Sequence, residues 1–294
     1  MTQGAPQLAA VVRQRPTIDS IVREVTELST LPAIATKVME VARNEKSGAA
    51  DLTAVVEADP VLSARVLRMV NSASCGIRTT VTNLQQAISY LGFREVRNLA
   101  LTASVSEMFA ANERIGRYYR GDLWRHMVSV GICARMVATR CRILNFDDVF
   151  LAGLLHDIGV IIEDQHASDE FQRLMKTLSD KDTLVTQEQK LLGFDHCTLG
   201  ARVAEVWKFP AGVQSAIRYH HGTDKYQGEH AEIVYCVDVA NVICTIKKIT
   251  SVGLGLLKPS LESFRALGFE KDDIVILATD LDQELAANEN LFEQ

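Results

Sequence analysis

Nowhere in this chain of 294 residues do apolar and polar positions alternate for more than about five residues, the pattern a half-buried strand needs. Apolar residues return instead at three- and four-residue steps, and helix punctuation is frequent. Asp59 is placed to cap a helix with Pro60 at its first position, and Leu62, Val66, Met69, Val70 and Ala73 form its apolar stripe. That stripe is expected to face the core. Arg65, Arg68 and Ser72 then lie nearer the other side, turned to solvent, to a partner or to the second half of the chain. Asn83 with Gln86 resembles a capping box, and Gly92 ends the helix it opens. Leu123, Met127, Val130, Ala134 and Val137 mark a long amphipathic helix. Asp195 can cap another, carrying Leu199, Val203 and Val206 and stopped at Phe209-Pro210, and Ile233, Val237, Ala240 and Cys244 mark one more. An all-α fold follows.

The expected layout has an N-terminal helical part over 1–115, a helical core over 116–250 and an acidic helical tail over 251–294. The polar stretch around 110–119 separates the first two parts without a Pro- or Ser-rich linker, so they can pack closely. Gly253, Gly255 and Pro259 interrupt the helical pattern at the start of the tail. No apolar run reaches about ten residues, too short for a bilayer. Met1–Ala10 does not read as a secretion signal, so a cytoplasmic location is expected. The six cysteines form no C-x-x-C pair and read as reduced, mostly buried thiols. A net charge of −6 argues against nucleic acid as the main partner. Charge is unevenly spread, with eight Arg against three Glu over 61–121 and nine acids against two bases over 260–294. Either these are solvated faces, or the basic stretch receives something acidic, such as the tail. The tail is expected to pack through Leu261, Phe264, Leu267, Ile274 and Leu281 with its acids in solvent.

All seven histidines lie at or beyond position 126. His126 belongs to the long amphipathic helix, and His156-Asp157 sits inside the apolar run LAGLLHDIGVII. His196 follows the Asp195 cap, and His220-His221 ends a helix before Gly222. Asp238 stands in the apolar helix VYCVDVANVI, where a carboxylate is costly unless paired or bound to a cation. Singly, each histidine could be a hydrogen-bonded core residue, the His220-His221 pair could sit at the surface, and Asp238 could pair with an arginine. Together they make a ligand set suited to Zn, Fe, Mn or Ni. Gly153 and Gly159 flank His156 at three residues on either side. They either clear an ion's approach or let helices pack closely.

This arrangement resembles the HD superfamily, whose ligands run H, HD, D along an all-α core. The resemblance implies His126, His156, Asp157 and Asp238 at one metal, and His196, His220 and His221 at a second position, with Asp157 bridging. Asp122, one turn before His126, is either a further ligand or the cap of its helix. The other ring nitrogen of each histidine should bond a carbonyl or carboxylate. LPAIATKVMEVA, VVEADPVLSARVLRMVNSASCG and LQQAISYLGFREVRNLAL narrow the resemblance to the HDOD domain, the HD-related output domain of bacterial signalling proteins, over about residues 25–222. The chain departs from the cyclic di-GMP phosphodiesterases of the superfamily, with Val160 where they carry a lysine and HHGTDKYQGEH where they carry Gly-Tyr-Pro. The resemblance implies a cytoplasmic signalling or regulatory protein that works through a protein partner and keeps one or two divalent transition-metal ions. A metal-dependent phosphohydrolase acting on a nucleotide or other phosphoester is the alternative, and a metal- or redox-sensing switch is another.

Overall fold

The side chains picked out as caps do the capping. Asp59 accepts from the Val61 and Leu62 amides at 2.9 and 3.0 Å, Asn83 from Gln86 at 2.8 Å and Asp195 from Thr198 at 2.7 Å. Gln86 departs from a strict capping box, its Oε1 accepting from the Thr82 amide instead of reaching Asn83. Gly92 ends its helix at φ 85°, which only glycine adopts without strain. The computed structural model describes residues 15–28, 31–110, 114–144, 146–179, 181–252 and 261–292. Met1–Ala10, residues 111–113, Gly253, Gly255 and Pro259 lie outside them.

The first group of helices is α1 (Ile18–Glu27), α2 (Ala33–Arg43), α3 (Ala49–Glu57), α4 (Pro60–Val70), α5 (Leu84–Leu91) and α6 (Phe93–Val105). A small antiparallel hairpin follows, β1 (Arg114–Ile115) paired with β2 (Tyr118–Tyr119) in the register Arg114 to Tyr119. Then come α7 (Arg120–Arg140), α8 (Phe146–Leu155), α9 (Ile158–His166), α10 (Ser168–Thr177), α11 (Leu184–Leu191), α12 (His196–Val206), α13 (Ala211–Tyr219) and α14 (Ala231–Ile246). The tail forms α15 (Leu261–Ala266) and α16 (Lys271–Ala287). Among the described residues the fold is all-α apart from the hairpin.

Two helices organise the core. α6 is buried from Val96 through Val105, with α2, α4 and α5 packed round it. α7 is buried along most of its length between α8, α14 and α16. Its stripe Leu123, Met127, Val130, Ala134 and Val137 has no exposed surface. Burying such side chains stabilises by about 1.5–3 kcal/mol for a Leu or Met. On α4 the stripe holds from Leu62 to Val70, but Ala73 is exposed, because the helix ends at Val70 and Ala73 opens a separate 3₁₀ turn. α1 packs against α12, which brings this helix onto the second half of the chain.

The tail packs through Phe264, Leu277 and Leu281, with Leu267 and Ile274 half-buried. Leu261 is 63% exposed, and Leu277 takes the place expected of it. Two of the acids are paired at the surface. Asp273 pairs with Arg140 at the end of α7, and Asp282 with Lys247 just past α14 at 2.8 Å. Against the basic stretch, Leu291 is buried and the Asn290 side-chain amide donates to the Arg68 carbonyl at 3.4 Å.

Candidate metal centre

α8 stops at Leu155 and α9 starts at Ile158, so His156 and Asp157 occupy the junction and not the middle of a helix. Asp157 sits at φ −99°, ψ 15°, a junction conformation between helical turns. The break lets two adjacent side chains face one point, which a continuous helix, turning 100° per residue, opposes. The flanking glycines serve packing. A Cβ on Gly159 would lie 2.0 Å from the His196 carbonyl oxygen, and one on Gly153 would lie 2.8 Å from Gly131 Cα. α9 thus touches α12, and α8 touches α7, backbone to backbone.

His126 comes from α7, His196 from the first turn of α12, and His220 from the residue that ends α13. His126, His156, Asp157, His196 and His220 are all 3% exposed or less. Candidate ligand atoms of His126, His156 and Asp157 lie within 4.8 Å of one another, as do those of His196, Cys197, His220 and His221. Asp157 joins the two groups. Its Oδ2 is 3.6 and 3.5 Å from Nε2 of His126 and His156, and its Oδ1 is 3.4 Å from Nε2 of both His196 and His220.

Each ring is held by its far nitrogen. Nδ1 of His126 bonds the Ile249 carbonyl at 2.9 Å, that of His156 the Gly153 carbonyl at 2.8 Å and that of His220 the Ile217 carbonyl at 2.9 Å. Nδ1 of His196 bonds the Glu188 carboxylate at 2.8 Å. A carbonyl only accepts, so the proton sits on Nδ1 and a neutral ring turns its Nε2 lone pair inward. These partners are carbonyls and a carboxylate, the types expected from sequence.

The ring charges differ across the cluster. Burial pulls His156 down to about 3, despite Asp157 beside it. Burial also opposes a charge on His220, yet the Cys197 sulfur and Asp157 push it up to about 10. Against burial, the imidazoles around Asp157 hold its carboxyl well below the usual range. His156 Nε2 and Asp157 Oδ1 are buried with no hydrogen-bond partner among the described residues. Buried, orphaned, converging lone pairs fit a divalent cation.

Two expected residues stand apart. Asp238, buried on α14, belongs to neither group. Its Oδ2 accepts from Ser263 of α15 at 2.6 Å, and burial, working against that bond, pushes it up to about 6. The tail helix thus supplies one partner to this carboxylate. Asp122 is on the exposed first turn of α7, 3.6 Å from Arg114, and is neither with the cluster nor at the cap position, which Tyr119 holds. His221 is in the second group but exposed.

Sequence reasoning missed Cys197, Glu188 and Glu163. Cys197 directly follows a candidate ligand, the one signal that could have found it. Glu188 has no local signal, being joined to the site only by the approach of α11 to α12. Glu163 could have been found as Asp238 was, since it interrupts the apolar run of α9. Both its oxygens are buried and without a hydrogen-bond partner among the described residues. Burial, and then the Glu188 carboxylate, push it well above the usual range. An acid protonated in the fold stabilises below its unfolded pKa, and that stability is lost as pH rises through the folded value. Glu163→Gln is therefore expected to raise Tm at about pH 8 and leave it nearly unchanged at about pH 4, in calorimetry on metal-free protein. Equal shifts at both pH values would show that Glu163 is not held neutral.

The HDOD domain family model matches residues 28–223. An uncharacterized protein of Treponema pallidum is 22% identical over 232 residues, covering 76% of this chain and 43% of its own length, so the chain spans less than half of that curated relative. Among solved structures, an HDOD domain protein of unknown function from Geobacter sulfurreducens has a TM-score of 0.75 at 23% identity, covering 94% of this chain and 99% of that one. A provisionally named metal-dependent phosphohydrolase from Shewanella amazonensis has a TM-score of 0.64 at 19% identity, covering 94% and 98%. At these identities the likeness is one of fold.

Proposed function

Because this chain belongs to the HDOD domain family, we propose that it is a signalling or regulatory domain whose second half is held together by a metal centre. The observation that carries this reading is Asp157, with one oxygen turned to His126 and His156 and the other to His196 and His220. The residues that would hold metal are therefore His126, His156 and Asp157 at one position, and Asp157, His196 and His220 at the other. They come from α7, the α8–α9 junction, α12 and the end of α13, so an ion bound there ties these segments together and couples its own occupancy to the packing of the core. That is what a regulatory domain working through a protein partner needs.

Phosphoester hydrolysis is the second reading, favoured by the bridging carboxylate. Two divalent ions sharing such a bridge supply Lewis acidity to both sides of a phosphoryl group. The name of the Shewanella amazonensis neighbour agrees with it. A cavity of about 150 Å³ lined by Cys197, His221, Arg218 and Lys225 lies beside the second group.

Elemental analysis of the full chain, purified without chelators, tests the first reading. At least one equivalent of a transition metal is expected, with no turnover of a generic phosphodiester. Less than about a tenth of an equivalent, with no reloading, would overturn the metal centre. Metal-dependent turnover would move the assignment to the hydrolase.

A further inference from the structure

The metal reading above assigns the second position to imidazole and carboxylate. The spacing of the atoms there points further, and we propose that Cys197 supplies a thiolate ligand to that position, making it a mixed His, Cys and Asp site that takes a soft tetrahedral cation.

Ligands at Zn–N about 2.05 Å and Zn–S about 2.3 Å in a tetrahedron stand about 3.35 Å apart for a nitrogen pair and about 3.55 Å for nitrogen and sulfur. The His196 and His220 Nε2 atoms are 3.4 Å apart. Cys197 Sγ is 3.4 Å from the first and 3.8 Å from the second. Asp157 Oδ1 is 3.4 Å from each. Four edges of one coordination tetrahedron are thus within about 0.2 Å of their ideal length, and the fifth, Cys197 to His220, is about 0.25 Å longer. The Cys197 sulfur thus faces both Nε2 atoms and is not turned into the surrounding apolar packing. Asp157 Oδ1, buried and without a hydrogen-bond partner, points into the same figure.

Local structure explains why two consecutive residues reach one centre. His196 and Cys197 open α12 directly after the Asp195 cap, so they project past the end of the helix. The N-terminal dipole there favours a negative sulfur. Coordination replaces the S–H bond with an S–metal bond and releases that proton to solvent. The first position, from His126, His156 and Asp157, contains only nitrogen and oxygen. A thiolate at the second favours Zn²⁺ or Co²⁺ over Mn²⁺ there.

The test uses full-length protein stripped with a chelator and titrated anaerobically with Co²⁺, followed by absorbance and by metal analysis after desalting. A thiolate-to-cobalt charge-transfer band in the near ultraviolet is expected. Equimolar Zn²⁺ should remove it and Mn²⁺ should not. Cys197→Ser and Cys197→Ala should both lose the band while keeping cobalt at the first position and the Tm of the metal-free protein. Cobalt bound to wild type without a band overturns the thiolate ligand and leaves the metal centre standing. So does a band that persists in either variant, or one that Mn²⁺ removes. If both variants fail to fold, the presence or absence of the band in cobalt-loaded wild type still decides whether a thiolate is bound. Folded wild-type protein that binds no cobalt overturns the metal centre itself, and this inference with it.

Discussion

Asp157→Ala is expected to empty both metal positions at once, while His126→Ala empties only the first. The asymmetry follows from the carboxylate's placement, since each oxygen faces a different pair of imidazoles. Removing a ligand should cost at least the roughly 100-fold in affinity that losing a strong supporting residue costs. Metal content after desalting should therefore approach zero for Asp157→Ala and stay near one equivalent for His126→Ala. A full equivalent retained by Asp157→Ala would show that it does not bridge.

Gly159→Ala should damage the fold more than its size suggests. The new methyl carbon would lie 2.0 Å from the His196 carbonyl oxygen and 2.7 Å from its carbon. Both are backbone atoms, so no rotamer change relieves the clash and α12 must move off α9. Overpacking costs about 1–3 kcal/mol where side chains can yield, so the upper end applies here. At about 2–4 °C per kcal/mol, a fall in Tm of about 6–12 °C is expected by calorimetry. Cobalt binding at the second position should weaken with it, because His196 and Cys197 travel with the first turn of α12. A Tm within about a degree of wild type would mean that the two helices have slack, contrary to their contact in the fold.

Much of the helical frame was legible because its signals are local. Asp59, Asn83 and Asp195 each satisfy amides within three residues, so a short window of sequence suffices to place them. The buried stripe of α7 repeats one periodicity and needs no partner to be recognised. Local signals misled where a neighbouring element intervened. Ala73 fits the period of α4 but falls beyond its end. Leu261 is apolar, yet Leu277 on the next helix lies against the core in its place.

For the site, composition and position already restricted the imidazoles to the second half and marked His126, His156, Asp157, His196 and His220. Which atoms meet was not local information. The α8–α9 break that turns His156 and Asp157 toward one point depends on where α9 rests, and that is set by the contact of Gly159 with His196. Asp238 drew notice because a carboxylate in an apolar helix needs a partner, and that Ser263, from another helix, is one such partner is not local information either. Glu188 reaches His196 only because α11 folds back onto α12, and Cys197 gains its place only once the ends of α12 and α13 converge. Sequence by itself determined an all-α chain with its caps, its stripes and a stock of inward-facing imidazoles, since capping and periodicity act over a few residues. Tertiary structure decided which of them form a centre, because ligand geometry is set to within a few tenths of an ångström by contacts between helices distant in the chain.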